Sequence, residues 1–202
     1  MRPRALLALI GALSWAVLVS PAGAEAPVRS GLALGFGLGG GSVSWLWPDD
    51  ERRGEWSGSG NARAAWALNR ETLVGVEVWA WSKDYAIGSI PEDVPVEVRF
   101  WSANAAVTYF PGNTGFYVRG GAGWGQGRVD ITPPPSVVDF PVSGEASASG
   151  LSLLGAMGYE IGVTPRLALG GAIHAVYLAV DGDRFQKVFG YGITGQLNWY
   201  WQ

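Results

Sequence analysis

The sequence contains no cysteine, which excludes disulfides, thiolate metal sites and a cysteine nucleophile. It contains a single histidine, His174, and a lone histidine without carboxylates at ligand spacing is a hydrogen-bonded side chain more often than a metal ligand. Beyond the N-terminus no apolar run reaches the roughly 20 residues a spanning helix needs, because glycine or a polar residue interrupts each one. A convincing 3.6-residue periodicity is missing as well. What remains, in a chain with 31 glycines and 11 tryptophans, is strand.

The N-terminus reads as an export signal. Arg2 and Arg4 form a charged region, Ala5 to Val19 an apolar stretch of about 15 residues, and Ala22-Gly23-Ala24 offers small residues for cleavage. Residues 1–24 are therefore expected to be a signal peptide and residues 25–202 a single barrel domain of 178 residues (202 minus 24). Removing Arg2 and Arg4 leaves 12 basic and 17 acidic residues, a net charge of −5 that argues against a nucleic-acid partner.

Alternating runs recur along the rest of the chain. They lie at Gly31 to Val43, about Gly58 to Leu68, Val74 to Trp81, about Val96 to Tyr109, Phe116 to Gln126, Ser149 to Ile161, Arg166 to Ala179 and Val188 to Trp201. In the last run Phe189, Tyr191, Ile193, Leu197, Trp199 and Trp201 share one parity, while Gly190, Gly192, Thr194, Gln196 and Asn198 share the other. A soluble β-protein buries the apolar parity; a membrane barrel turns it toward lipid and packs small and polar side chains inside.

Eight strands is the smallest number that closes a transmembrane barrel, and closure is compulsory in lipid because an open edge leaves backbone groups unpaired. The links after runs two, four and six are tight turns, among them Pro111-Gly112-Asn113-Thr114. Those after runs one, three, five and seven are long and polar, roughly Ser44 to Ser57, Lys83 to Pro95, Arg128 to Ala148 and Val180 to Lys187. This alternation is that of short periplasmic turns and longer outer loops. The expected fold is all-β, an eight-stranded antiparallel up-and-down transmembrane β-barrel.

The aromatics are banded. Trp66, Tyr109, Phe116, Tyr159, Trp199 and Trp201 lie beside the short turns or the C-terminus, and Trp45, Trp101, Trp124 and Tyr177 near the long links. From Phe116 to Trp124 a strand tilted by roughly 40° climbs about 20 Å, close to the apolar band of about 25 Å, so two interfacial girdles are expected.

The chain resembles the small eight-stranded outer-membrane barrels of the OmpA/OmpX type and, more narrowly, the outer-membrane protein β-barrel domain family. The stretch Val107-Thr108-Tyr109-Phe110-Pro111 followed by Gly115-Phe116-Tyr117-Val118-Arg119-Gly120-Gly121-Ala122-Gly123-Trp124-Gly125 is similar to that family's hairpin of a strand ending in aromatic-Pro, a glycine turn and a glycine-rich strand. The terminal strand resembles the segment recognised by the barrel-assembly machinery, although such segments end in an aromatic residue and this one ends Trp201-Gln202. The resemblance implies residence in the cell outer membrane of a Gram-negative envelope, among outer-membrane lipid and lipopolysaccharide, as a monomer.

The lumen offers the only candidate chemistry. Strand parity points Arg63, Glu77, Arg119, Glu160 and His174 inward, together with Asn61, Asn104, Tyr117, Gln196 and Asn198. Positions 63 and 77 are equidistant from Arg70 at the turn, so Arg63 and Glu77 are expected to be cross-strand neighbours, and Glu160 and Arg166 to flank their turn in the same way. These charges are read as structural partners, since an eight-stranded interior is just wide enough for side chains to fill it.

No catalytic residue, cofactor or metal is assigned. Barrel enzymes that acylate or deacylate lipid A are similar in size and need a histidine with a serine or carboxylate at the lipid face, whereas His174 is luminal and followed by Ala175 and Val176. The expectation is a non-enzymatic outer-membrane protein serving envelope integrity or surface interaction. A rival is a narrow channel, for which the luminal glycines Gly35, Gly37, Gly121, Gly123 and Gly125 would leave room. Asp49, Asp50, Glu51, Glu55, Asp84, Glu92, Asp93, Glu97, Asp130, Asp139, Glu145, Asp181 and Asp183 make the long links acidic, and Pro133-Pro134-Pro135 stiffens the third.

Overall fold

The computed structural model describes residues 27–46, 52–89, 92–131, 144–181 and 187–201. The export signal, the three prolines at 133–135 and, of the acidic positions expected in loops, Asp49, Asp50, Glu51, Asp139 and Asp183 lie outside the described residues, whereas the other acidic positions fall within strands. Eight strands, β1 (Leu32–Leu46), β2 (Arg52–Ala67), β3 (Thr72–Ser89), β4 (Glu92–Tyr109), β5 (Phe116–Ile131), β6 (Gly144–Gly162), β7 (Leu167–Asp181) and β8 (Lys187–Trp201), each pair antiparallel with the next. Because β1 also pairs with β8, through Leu32↔Trp201 to Trp45↔Val188, the sheet closes and has no edge. The chain is an eight-stranded up-and-down transmembrane β-barrel.

Local chemistry sets the tight turns. Between β2 and β3 the Leu68 amide donates to the Thr72 carbonyl and the Asn69 side chain accepts from the Glu71 amide, an Asx turn. Between β4 and β5 a single 3-10 turn, Pro111–Asn113, carries Gly112 and Asn113 at φ of 61° and 54°, a left-handed pair that glycine and asparagine adopt at least cost.

Every strand is longer than its apolar alternation. The polar segments expected to be loops, such as 83–95 and 128–148, begin or end as strand: β3 continues to Ser89, β4 starts at Glu92, β5 reaches Ile131 and β6 starts at Gly144. An 18-residue strand at about 3.3 Å per residue and roughly 40° tilt rises about 45 Å, well beyond an apolar band of about 25 Å. The excess lies at the end away from the tight turns.

The pattern reverses along each strand, which explains both the length and the misreading. On β3 the outward residues run Val74, Val76, Val78, Ala80 and then Ser82 and Asp84, while the inward residues run Gly75, Glu77 and then Trp79 and Trp81. On β4 the outward Tyr109, Val107, Ala105 and Trp101 give way to Arg99 and Glu97, and the inward Thr108, Asn104 and Ser102 give way to Phe100, Val98 and Val96. β5 and β8 repeat the change, with Arg128 and Asp130 above Trp124, and Lys187 above Phe189. The lower part is greasy outside and polar inside, as lipid demands. The upper part has a polar exterior and an apolar core, as water demands. Trp101, Trp124 and Trp56 are exposed on the outer surface near the changeover, where an interfacial girdle belongs. Trp45, expected in that girdle, has the inward parity of Val43 and is only 4% exposed, inside the barrel.

One seam differs from the others. The β2–β3 ladder ends at Gly58↔Ser82, although β1–β2 continues to Leu46↔Arg52 and β3–β4 to Ser89↔Glu92. Side chains replace the absent ladder: the Ser57 hydroxyl donates to the Ser82 carbonyl at 2.6 Å, and Lys83 Nζ donates to the Trp56 carbonyl at 3.2 Å and to Glu55 at 2.8 Å.

Candidate functional site

The lumen is stacked in layers. Its outer layer is apolar: Trp45, Trp81 and Phe100 form a mutual cluster with ring centroids 5.7–6.4 Å apart, packed with Val43, Val98, Val176, Leu178 and Val188. The indole N–H of Trp81 is satisfied by the Gly41 carbonyl at 3.0 Å. Luminal glycines do not leave a gap here. A side chain from another strand occupies the space beside several of them, so that a Cβ on Gly125 would stand 2.5 Å from Leu178 and one on Gly190 would stand 3.1 Å from Trp79. Lower down the same holds for Gly35 against Arg63 and Gly37 against Asn61. At Gly121 and Gly123 the obstacle is the backbone of the adjacent strand, drawn close by the tight curvature of a small barrel.

His174 sits under the aromatic layer on β7, 5% exposed. Its Nε2 accepts the indole N–H of Trp79 at 2.9 Å, with the rings edge-on at 6.0 Å. That nitrogen therefore carries no proton and is not available to a nucleophile or metal. Among the described residues no three His, Cys, Asp or Glu side chains gather at metal-binding geometry.

The middle layer holds the charges, and all five candidate residues are buried there. Arg63 and Glu77 are register partners on β2 and β3, as the symmetry about Arg70 implies. Their side chains do not pair, which corrects the expected cross-strand ion pair. Glu77 accepts from Asn61 Nδ2 at 2.9 Å and from Arg119 NH1, which reaches across from β5 and also donates through Nε to Thr108 at 3.0 Å. Arg63 instead donates through NH2 to Asn198 Oδ1 at 2.7 Å and lies 4.0 Å from Glu160. The physical reason is reach: in so narrow a barrel a guanidinium extends across the lumen as easily as along the wall.

Glu160 is also paired differently from expectation. It faces Gly170 in register, and Arg166 is exposed at the turn. Its carboxylate accepts from Arg29 Nε and NH2 at 3.0 and 2.9 Å, from Tyr200 at 2.7 Å and from Asn198 Nδ2 at 2.8 Å. Arg29 precedes β1 and plugs the turn-side mouth. It is 1% exposed, donates further to Asn113 Oδ1 at 3.1 Å and to the Thr114 carbonyl at 2.8 Å, and stacks over Phe110 at 3.5 Å. The segment Pro27-Val28-Arg29-Ser30 belongs to no alternating run, so sequence periodicity could not have found this residue.

Chemically the lumen is a scaffold packed with apolar side chains in its outer layer and plugged by Arg29 at the turn side, with its carboxylates held by guanidinium groups. Known structures agree on the fold. The attachment invasion locus protein of Yersinia pestis, Ail, solved in complex with the heparin analogue sucrose octasulfate, is similar over 85% of this chain and 100% of its own, at 14% identity and a TM-score of 0.55. Neisserial surface protein A is similar over 85% of this chain and 98% of its own, at 12% identity and a TM-score of 0.57. No family model matches the chain, and no curated protein sequence matches it. At such identities the likeness concerns architecture: the chain has the fold of the small eight-stranded outer-membrane barrels.

Proposed function

We propose that this chain is a non-enzymatic integral protein of the outer membrane that serves envelope integrity or surface contact, reached by way of a cleaved export signal and the barrel-assembly machinery. The observation that carries the reading is the reversal of amphipathicity along the strands, which makes the upper barrel a rigid, water-adapted extension holding the outer segments clear of the lipid. A channel has no need of such an apolar core, and the packing of large side chains beside the luminal glycines favours a filled interior. The inward, hydrogen-bonded His174 likewise favours a structural over a lipid-modifying role.

Surface contact has a sign. Ail was solved with a polyanion, whereas the outer segments of this chain carry Asp49, Asp50, Glu51, Asp93, Asp139 and Asp183, so the favoured contact is with cationic groups, or with lipopolysaccharide phosphates through divalent cations. Fractionation and bilayer recording test the whole reading. The mature protein should sediment with the outer membrane, shift its gel mobility on heating as closed barrels do, and give no unitary conductance in a planar bilayer. Recovery from the soluble periplasm, or steady single-channel steps abolished by blocking mutations in the lumen, would overturn it.

A further inference from the structure

Among the described residues the polar lumen holds three guanidinium groups, Arg29, Arg63 and Arg119, and two carboxylates, Glu77 and Glu160. His174 adds no charge, because its Nε2 is an acceptor. Two couples form, Arg29 with Glu160 and Arg119 with Glu77. Arg63 is left over. Glu160, 4.0 Å away, already accepts from Arg29, Tyr200 and Asn198, and the one hydrogen bond Arg63 makes is to a neutral amide. Its Nε and NH1 have no acceptor, nor has NH2 of Arg119, and both side chains are almost wholly buried, 4% and 1% exposed.

An excess positive charge, shared between Arg63 and a carboxylate already engaged by Arg29, is costly in so dry a place, and arginine cannot escape it by losing a proton. Protonating either carboxylate would only raise the excess. Water satisfies donors but leaves the charge; a small anion does both. Each of the two guanidinium groups approaches the Tyr117 ring, with its Cζ atom 5.8 Å (Arg63) or 5.1 Å (Arg119) from the ring centroid. We propose that the lumen binds a small monovalent inorganic anion, chloride in a chloride-containing medium, on the unpartnered N–H donors of Arg63 and Arg119. It enters as the barrel closes and acts as a structural counter-ion.

The test is a urea titration of the refolded protein in detergent micelles at constant ionic strength, with chloride replaced stepwise by gluconate, which is too large for a lumen filled by side chains. The unfolding midpoint should rise with chloride and saturate. Arg63→Gln leaves each carboxylate its guanidinium and should make the midpoint indifferent to the anion; Arg63→Lys keeps the charge and should keep the dependence. Crystals grown in bromide should show an anomalous peak within hydrogen-bond distance of Arg63 or Arg119. Equal wild-type midpoints in chloride and gluconate, a dependence undiminished in Arg63→Gln, or bromide maps with no anomalous peak beside these residues would each overturn the proposal. If Arg63→Gln fails to refold, the wild-type bromide map decides alone.

Discussion

Arg63 and Glu77 face one another across the β2–β3 ladder, yet each commits its strongest hydrogen bond elsewhere, Arg63 to Asn198 on β8 and Glu77 to Arg119 on β5. The lumen is thus braced across its width rather than along its wall. Strands far apart in sequence are tied together by groups that fail only if the barrel opens.

A double-mutant cycle separates the two geometries. Arg119→Met should strand Glu77 and destabilise the barrel by about 3–5 kcal/mol, and adding Glu77→Gln should recover much of the loss. Arg63 and Glu77, treated in the same way, should show a smaller coupling energy. A larger coupling for the Arg63 pair, read from urea midpoints in detergent, would contradict the hydrogen bonding described.

Arg29 should matter as much as any strand residue. Arg29→Ala removes two hydrogen bonds from the Glu160 carboxylate, leaving Tyr200 and Asn198 as its donors and Arg63, 4.0 Å away, as its nearest guanidinium. The expected cost is about 1.5–3 kcal/mol, that of the lost hydrogen bonds to a charged group, with the compact gel form lost at a lower temperature. Unchanged heat modifiability would show that the segment before β1 is not held in the mouth.

Two glycines on β5 offer a controlled comparison. A Cβ on Gly123 would lie 1.9 Å from the Ala103 carbonyl, whereas one on Gly120, facing outward, meets nothing within 4 Å. Gly123→Ala should cost about 1–3 kcal/mol through forced backbone movement, and Gly120→Ala should be near neutral. Equivalent folding titrations for the two would mean that the close approach of β4 and β5 is not real.

Depth is testable on β3 alone. Val76→Arg, outward in the apolar band, should cost about 2–4 kcal/mol in a vesicle folding titration, and Ser82→Arg, three outward positions higher, at most about 1 kcal/mol. The same gradient should hold on β4 between Ala105→Arg and the native Arg99. A flat response would remove the membrane from the account.

Much of this architecture was legible in the sequence, because outward alternation such as Val74-Val76-Val78 is local and survives inspection one strand at a time. The Arg63–Glu77 register was legible for the same reason: a short turn leaves its flanking positions no freedom. The strand ends were not. Beyond Trp81 and Phe100 the parity that carries apolar residues switches faces, so Lys83, Asp84, Glu92 and Asp93 read as loop while they continue the ladder. Trp45 misleads when read by height alone, although its odd parity already places it with Val43. The reach of Arg119 to Glu77 depends on the radius and stagger of the closed barrel, a property of all eight strands at once that no single run of residues contains. Arg29, outside any periodic segment, leaves no pattern to detect.

The switch of faces also fixes the vertical position of the molecule. Sinking the barrel by two residues, about 5 Å along the axis, would draw Ser82, Arg99, Arg128 and Lys187 into hydrocarbon on four strands together, each buried basic residue at a cost that rises with depth toward about 2–4 kcal/mol. Lifting it would bring Leu38, Val78 and Leu151, all exposed on the outer face, into water. The barrel therefore floats at one draught, and the height at which its outer segments ride above the lipid is set by the strands themselves, whatever those segments contain.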